Sequence, residues 1–375
     1  MLRTKKRHLI IAVSLLLVQV LLYYSLRNVP ELVETYYSNG IYSYISRAMR
    51  IGLGWIPFSF GDLVYGAGII MILRWLWISK KDLIVLPFSV MLSRKRYKNK
   101  VYAKLATVRK RYTQLFMSLN LILFTFHVLW GFNYYRQPLN VTLKIEKEYS
   151  TEDLKRVTLE IAMLSNALHQ TLQPVDSLPV VFNRSQDELF KIAPSGFKNL
   201  KQSQLRQSLT PLSIKKSLLT MPLTHMGYSG YLNPITGEAH TNAWINCYKT
   251  PVLILHEMSH QLGFAKENEA NFVAIHAGLN HEDPYFQYSA SIFGLKYLLN
   301  DLYTKDPAAF EKIKDQLRPG ILENYQELRD FWAPYNDSFI EKVSQATYNQ
   351  YLKANNQPDG MKTYSYVVAL LVNSQ

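Results

Sequence analysis

Val252-Leu253-Ile254-Leu255-His256-Glu257-Met258-Ser259-His260 is the stretch on which the rest of the sequence turns. Four apolar residues run into an H-E-x-x-H pattern. Residues four apart share one face of a helix, so the imidazoles of His256 and His260 can reach a single metal ion. Glu257, between them, is placed to act as general base on the hydrolytic water. The apolar approach predicts a buried helix. Burying two histidines and a glutamate without partners is costly, which favours a metal centre over two unrelated histidines.

A hydrolytic zinc site needs a third protein ligand and an open coordination position. Gly263 can end the first helix in a left-handed cap, and a second helix is expected from about Ala265 or Lys266. On it Glu267 and Asn271 share a face, while Glu269 points roughly the other way. In zinc peptidases with a glutamate ligand, an Asp or Asn four residues later commonly orients a ligating histidine. That spacing favours Glu267 as ligand and Asn271 as its support, with Glu269 the alternative. Lys266 stands where H-E-x-x-H-x-x-G-x-x-H would need its third histidine, which argues against that class.

Upstream, Gly227–Ile245 carries strand signal around the turn Asn233-Pro234-Ile235-Thr236-Gly237. Glu238–Asn242 is the expected edge strand for a substrate backbone, and Tyr228 or Tyr231 a candidate oxyanion donor. His240 and His276 read as satisfied polar residues. The single cysteine, Cys247, excludes an intramolecular disulfide and any multi-cysteine metal site, and reads as a small buried residue.

The net charge of +14 suggests a nucleic-acid partner until it is divided along the chain. Residues 1–133 hold 19 Lys+Arg against four acids, a balance of +15; the other 242 hold 23 against 24, a balance of −1. In the first part the charge alternates with apolar runs near 9–26, 58–78 and 114–132, each close to the length that crosses a bilayer. The chain lacks a cleavage signature after the first run, which therefore reads as an uncleaved anchor. The 79–112 loop carries 11 Lys+Arg, including Arg94-Lys95-Arg96 and Arg109-Lys110-Arg111, against Asp82 alone. The positive-inside rule puts that loop and the N-terminus in the cytoplasm and everything after about residue 134 outside it. A lipid bilayer, not nucleic acid, is the expected partner. Gln19, Asn120 and His127, the polar residues within the spans, form no transport path.

The remainder, 134–375, reads as a mostly helical α+β domain with a small sheet. Ser150-Thr151-Glu152-Asp153 opens a helix with Leu154, Val157, Ile161, Leu164 and Leu168 on one face. Residues 204–218 and the stretches after Pro284, Pro307 and Pro334 also read as helices, and Leu178–Asn183 as a strand.

Several blocks together resemble a bacterial family catalogued as domain of unknown function three-eight-one-zero, membrane proteins with a zinc-peptidase signature. They are Ile56-Pro57-Phe58-Ser59-Phe60-Gly61-Asp62, Trp130-Gly131-Phe132-Asn133-Tyr134-Tyr135-Arg136, Ser229–Ala239, His256–Ala274 and Tyr351–Gln357. The resemblance covers nearly the whole chain, and Glu267-x-x-Ala270-Asn271 is similar to glutamate-ligand (gluzincin-like) zinc peptidases. Together these readings predict three transmembrane helices joined to a zincin-like domain in the bacterial inner membrane. The domain is expected outside the cytoplasm, holding Zn2+ on His256, His260 and Glu267 and hydrolysing a peptide or other amide bond with Glu257 as base. The alternative is a non-catalytic, zinc-stabilised assembly factor tethered to the membrane, which would have no need of Glu257.

Overall fold

The computed structural model describes residues 2–85, 98–198, 200, 205, 209–361 and 366–374. The basic triplet Arg94-Lys95-Arg96 lies outside them.

The first part is built from α1 (Leu2–Ser25), α2 (Tyr42–Leu53), α3 (Phe60–Lys80) and α4 (Lys98–Leu129), with a π-helical segment at Val33–Ile41 before α2. Three windows are long and apolar enough to cross a membrane: Lys6–Asn28, Phe60–Ile84 and Leu105–Leu129. The third begins before the expected position because α4 does not stop at Arg109-Lys110-Arg111; long basic side chains are good helix formers. α1 packs along α4. The polar residues inside the spans join these two helices: Asn120 Nδ2 donates to the Ala12 carbonyl at 2.9 Å, and the His127 ring stacks on Tyr23.

The second part begins with α5 (Thr151–Leu172), whose first turn is capped by Ser150 Oγ accepting from the Asp153 amide at 3.0 Å. Leu154, Val157 and Leu168 are buried as their spacing predicts, whereas Leu164 is exposed and Ala162 and Ser165 complete the inner face. Three short strands follow: β1 (Ile214–Lys216), β2 (Gly230–Leu232) and β3 (Ala239–Thr241), in the order β1-β3-β2. β3 pairs in parallel with β1 and antiparallel with β2. The Asn233–Gly237 turn joins β2 to β3, with Asn233 Oδ1 accepting from the Ile235 and Thr236 amides and Gly237 at φ +64°. Then come α6 (Lys249–Gln261), α7 (Glu267–Leu279), α8 (Pro284–Lys305), α9 (Pro307–Lys314), α10 (Pro319–Trp332), α11 (Phe339–Ala354) and α12 (Val367–Asn373). α8, α9 and α10 each start on a proline, which fits the first helical position. α5, α6, α7 and α8 pack on one another around a single large apolar core, and α6 lies against β2 and β3.

Two sequence expectations fail for identifiable reasons. Within 204–218, Ile214–Lys216 is strand β1; Pro211 interrupts a helix, and Lys215 Nζ is drawn to the buried Glu238 carboxylate across the β1–β3 pair. Residues 204 and 206–208 of that stretch are outside the described set. Leu178–Asn183 forms no strand and pairs with none among the described residues. The Asn324 amide takes the partner's place, accepting from the Val180 amide at 3.0 Å and donating to the Val180 carbonyl at 3.1 Å.

The two parts are bolted together by buried polar contacts. Arg136, just after α4, forms a forked pair with Glu34 at 2.7 and 2.6 Å and donates to the Gly263 carbonyl at 3.0 Å. Both side chains are under a tenth exposed. Removing one partner of such a pair leaves a charge buried without compensation, at about 3–5 kcal/mol. Arg136→Ala should therefore lower the thermal midpoint of the full chain in detergent by several degrees. Glu34→Leu/Arg136→Met should recover part of that loss, and an unchanged midpoint for the single variant would refute the pair's structural weight.

Candidate metal centre

The buried run Val252–Leu255 seats α6 in the core, so His256, Glu257 and His260 emerge at its inner end. Gly263, at φ +89°, turns the chain out of α6 as a left-handed cap. Lys266 is the N-cap of α7, which makes Glu267 its first helical residue and returns the carboxylate toward α6. His256 Nε2 and His260 Nε2 lie 3.2 and 3.6 Å from Glu267 Oε2. One donor atom from each of the three residues falls within 4.8 Å of the others, close enough to hold a metal ion.

Glu269 faces elsewhere: its Oε1 accepts from the Leu139 amide at 2.9 Å and pairs with Lys266. Asn271 is buried one turn after Glu267, and its Nδ2 donates to Tyr297 Oη at 3.2 Å rather than to a histidine. His260 is oriented instead by the backbone, since its Nδ1 lies 2.7 Å from the Phe264 carbonyl. A carbonyl only accepts, so Nδ1 carries the proton and Nε2 is left to bind a metal.

The donor set and the unsatisfied atoms both suit zinc. Two imidazole nitrogens and one carboxylate oxygen with room beside them are the ligands of a hydrolytic zinc site. Glu257 Oε2 and His256 Nδ1 are buried without a hydrogen-bond partner. Burial pushes the Glu257 carboxyl up to about 8, outweighing the His260 charge that lowers it. Burial also lowers His256. At His260 burial works against the charged form, but the Glu267 carboxylate outweighs it and raises the imidazole to about 9. Reciprocally, His260 and His256 overcome burial and hold Glu267 well below the usual carboxylate range.

These groups stand on the floor of a cavity of about 730 Å³. β2 forms one wall, with Gly230 against the Glu257 carboxylate: a Cβ there would come within 2.5 Å of its Oε1. β3 lies between two strands and cannot be the open edge expected at Glu238–Asn242; β2 is. Asn233 and Asn242 bond across to Glu238 and Ser229, so by alternation the backbone groups of Gly230 and Leu232 face away from β3. Both residues line the cavity.

Tyr231 is committed to structure, with its hydroxyl bound to Asp62 and its ring stacked on His240 at 4.6 Å. The Tyr228 hydroxyl shares a hydrogen bond with Ser344 Oγ at 2.9 Å and lines the cavity wall. His240 bonds Ser59 at 2.7 Å, and His276 lies against Phe272; neither joins the centre. Cys247 is half-buried, and burial raises its thiol. Tyr348, whose hydroxyl binds Glu267 Oε1, had no sequence signal among 26 tyrosines, and neither did Lys249, a cavity-wall cation that burial lowers to about 8.

A family model described as "Protein of unknown function (DUF3810)" matches residues 37–372. The chain belongs to this family. The match reaches from the π-helical segment to α12, so the family's shared unit contains α3 and α4 together with His256, His260 and Glu267. No curated protein and no solved structure shows significant similarity to this DUF3810 chain.

The charge state of the centre makes a measurable prediction. With His260 raised to about 9, the metal-free chain carries a proton there at pH 7, and its ion-pair stabilisation is lost as pH rises through about 9. A metal that takes Nε2 must displace that proton. Calorimetry at pH 7 in buffers of different ionisation enthalpy should show release of about one to two protons per zinc bound, from His260 and from the neighbouring Glu257, shrinking at higher pH. Heats independent of the buffer would contradict the arrangement.

Proposed function

We propose that this chain is a membrane-anchored, zinc-dependent hydrolase of peptide or other amide bonds. The observation that carries the proposal is the convergence of His256, His260 and Glu267 beside a buried carboxylate, Glu257, that has an oxygen free. A non-catalytic metal clip would have no use for that carboxylate, whose burial is costly. His256, His260 and Glu267 would hold the zinc, which when bound supplies Lewis-acid polarisation of the substrate carbonyl and the attacking water. Glu257 accepts the proton of the water as it attacks and delivers it to the departing amide nitrogen. The backbone of Gly230 and Leu232 on the open edge of β2 pairs with the substrate main chain and aligns the scissile bond above Glu257. Tyr228 donates to the developing oxyanion. Tyr348 and the Phe264 carbonyl hold Glu267 and His260 in place.

The arrangement of the helices supports an orientation. Three helix ends adjoin the second part of the chain: Arg27 after α1 reaches the Ala354 carbonyl, Ser59 before α3 reaches His240, and Trp130 after α4 reaches the His260 carbonyl. These ends fall on one side of a three-span anchor. The basic residues between 79 and 112 belong to the other side, which the positive-inside rule makes cytoplasmic. The centre then works outside the cytoplasm.

Glu257→Gln keeps the shape of the site and removes the base. The variant should bind zinc in the same ratio as the unaltered chain and lose hydrolysis by about 10²–10⁴-fold. Cells carrying it should accumulate the peptides or proteins that the unaltered chain turns over, read by comparative proteomics. Identical proteomes, with His256→Ala alone having an effect, would favour the non-catalytic role.

A further inference from the structure

The cleft does not stand clear of the membrane segments; two of them build its wall. Trp55, Phe58 and Phe60 are 77%, 45% and 36% exposed at the start of α3, an aromatic cluster of the kind that marks the membrane–water boundary. Tyr65 lies on the bilayer side of that cluster, about 8 Å further along the helix axis than Phe60 at 1.5 Å per residue. Tyr65 nevertheless lines the same cavity as His256 and Glu257. Trp130, the residue after the last of α4, lines it as well, with its indole Nε1 3.2 Å from the His260 carbonyl.

This height is set by buried bonds rather than by a linker. Ser59 Oγ meets His240 Nε2 at 2.7 Å, and the Gly61 amide donates to Glu238 at 2.5 Å. Asp62 accepts from the Leu218 amide at 2.7 Å and from Ser217 Oγ at 2.9 Å, and holds the Tyr231 hydroxyl as well. The start of α3 is thereby tied to β3, to the residues just after β1, and to β2 beside Glu257. The neighbouring rim is apolar: Leu218 and Met221 are 55% and 60% exposed, and Leu219 and Leu223 continue from them into the cavity.

The chemistry of the wall narrows the substrate. Among the described residues, apart from His256, Glu257, His260 and Glu267, the only charged side chain lining the cavity is Lys249, already bound to Ser229 Oγ at 2.7 Å. A phosphate-bearing lipid headgroup would call for a cluster of cations, and the described residues place none on this wall. The open backbone edge of β2 matches a polypeptide, and the apolar wall matches the side chains found where a chain leaves a bilayer.

We propose, building on the hydrolase reading, that the cleft takes polypeptides that are themselves held in the membrane and cuts them within a few residues of the bilayer surface. The full chain with zinc, reconstituted in phosphatidylcholine liposomes, tests this. One substrate is a single-span polypeptide with a randomised ten-residue window directly after its span. A second carries the same window after a 25-residue Gly/Ser spacer, and a third presents the window as free peptides. New N-termini are counted by mass spectrometry, with Glu257→Gln as the blank. Cuts in the span-adjacent window should exceed those in either other substrate at least ten-fold. Equal cutting of all three, or a preference for free peptides, overturns the membrane-held substrate while leaving the hydrolase reading intact. No cutting anywhere by the zinc-loaded chain overturns both. A fourth set of liposomes carries an N-acylated phosphatidylethanolamine; fatty acid released from it, with no peptide cut, overturns the polypeptide in favour of a lipid amide.

Discussion

An α-helix leaves its last carbonyls without partners of its own, and α6 ends inside the protein. Nearly every feature of the centre follows from how those carbonyls are satisfied. Trp130 Nε1 takes the His260 carbonyl, and Tyr42 Oη and Ser46 Oγ both take that of Gln261, at 3.0 and 2.9 Å. Arg136 takes the Gly263 carbonyl, and His260 turns its own Nδ1 to that of Phe264. Each bond contributes about 1 kcal/mol net, but a buried carbonyl left open costs about 1–3 kcal/mol. Four of the five donors lie before residue 137 in the chain. The helix that carries the histidines is thus finished by segments next to the membrane spans, and a fragment starting at residue 134 would lack Trp130, Tyr42 and Ser46.

The same dependence explains what could be read from the sequence. The H-E-x-x-H helix, the Gly263 cap, the return of Glu267 and the Asn233–Gly237 turn are local patterns, each set by residues within a few positions of one another. The three apolar runs are legible for the same reason. Strand β1 is not, because Ile214–Lys216 becomes a strand only by pairing with β3, and Pro211 and Lys215 make sense only once that pairing exists. The open edge moved from β3 to β2 on the same account: the segment was recognised, but its partner on the far side was not. Val180 shows the converse, a segment expected as a strand whose neighbour is a single asparagine side chain. Tyr348 comes from a helix 81 residues beyond Glu267 and carries no local mark.

Asp62 and Asn120 show how polar residues in apolar helices take structural roles. Asn120 joins α4 to α1, whereas Asp62, at the first turn of α3, gathers bonds from β2 and from Ser217 and Leu218, the two residues after β1. One fastens span to span and the other fastens a span to the sheet that walls the cleft. The candidate metal centre, the sheet edge and the membrane helices consequently form one unit, which agrees with a family match that takes in all of them.

The central claim, that His256, His260 and Glu267 hold a zinc ion, is tested most directly by X-ray absorption at the zinc edge on the purified full chain. The account predicts one zinc per chain with two imidazole nitrogens at about 2.0–2.1 Å and oxygen ligands at about 2.0–2.2 Å, and loss of that spectrum in His256→Ala/His260→Ala. A sulfur shell at about 2.3 Å, or a spectrum unchanged by the double substitution, would contradict it.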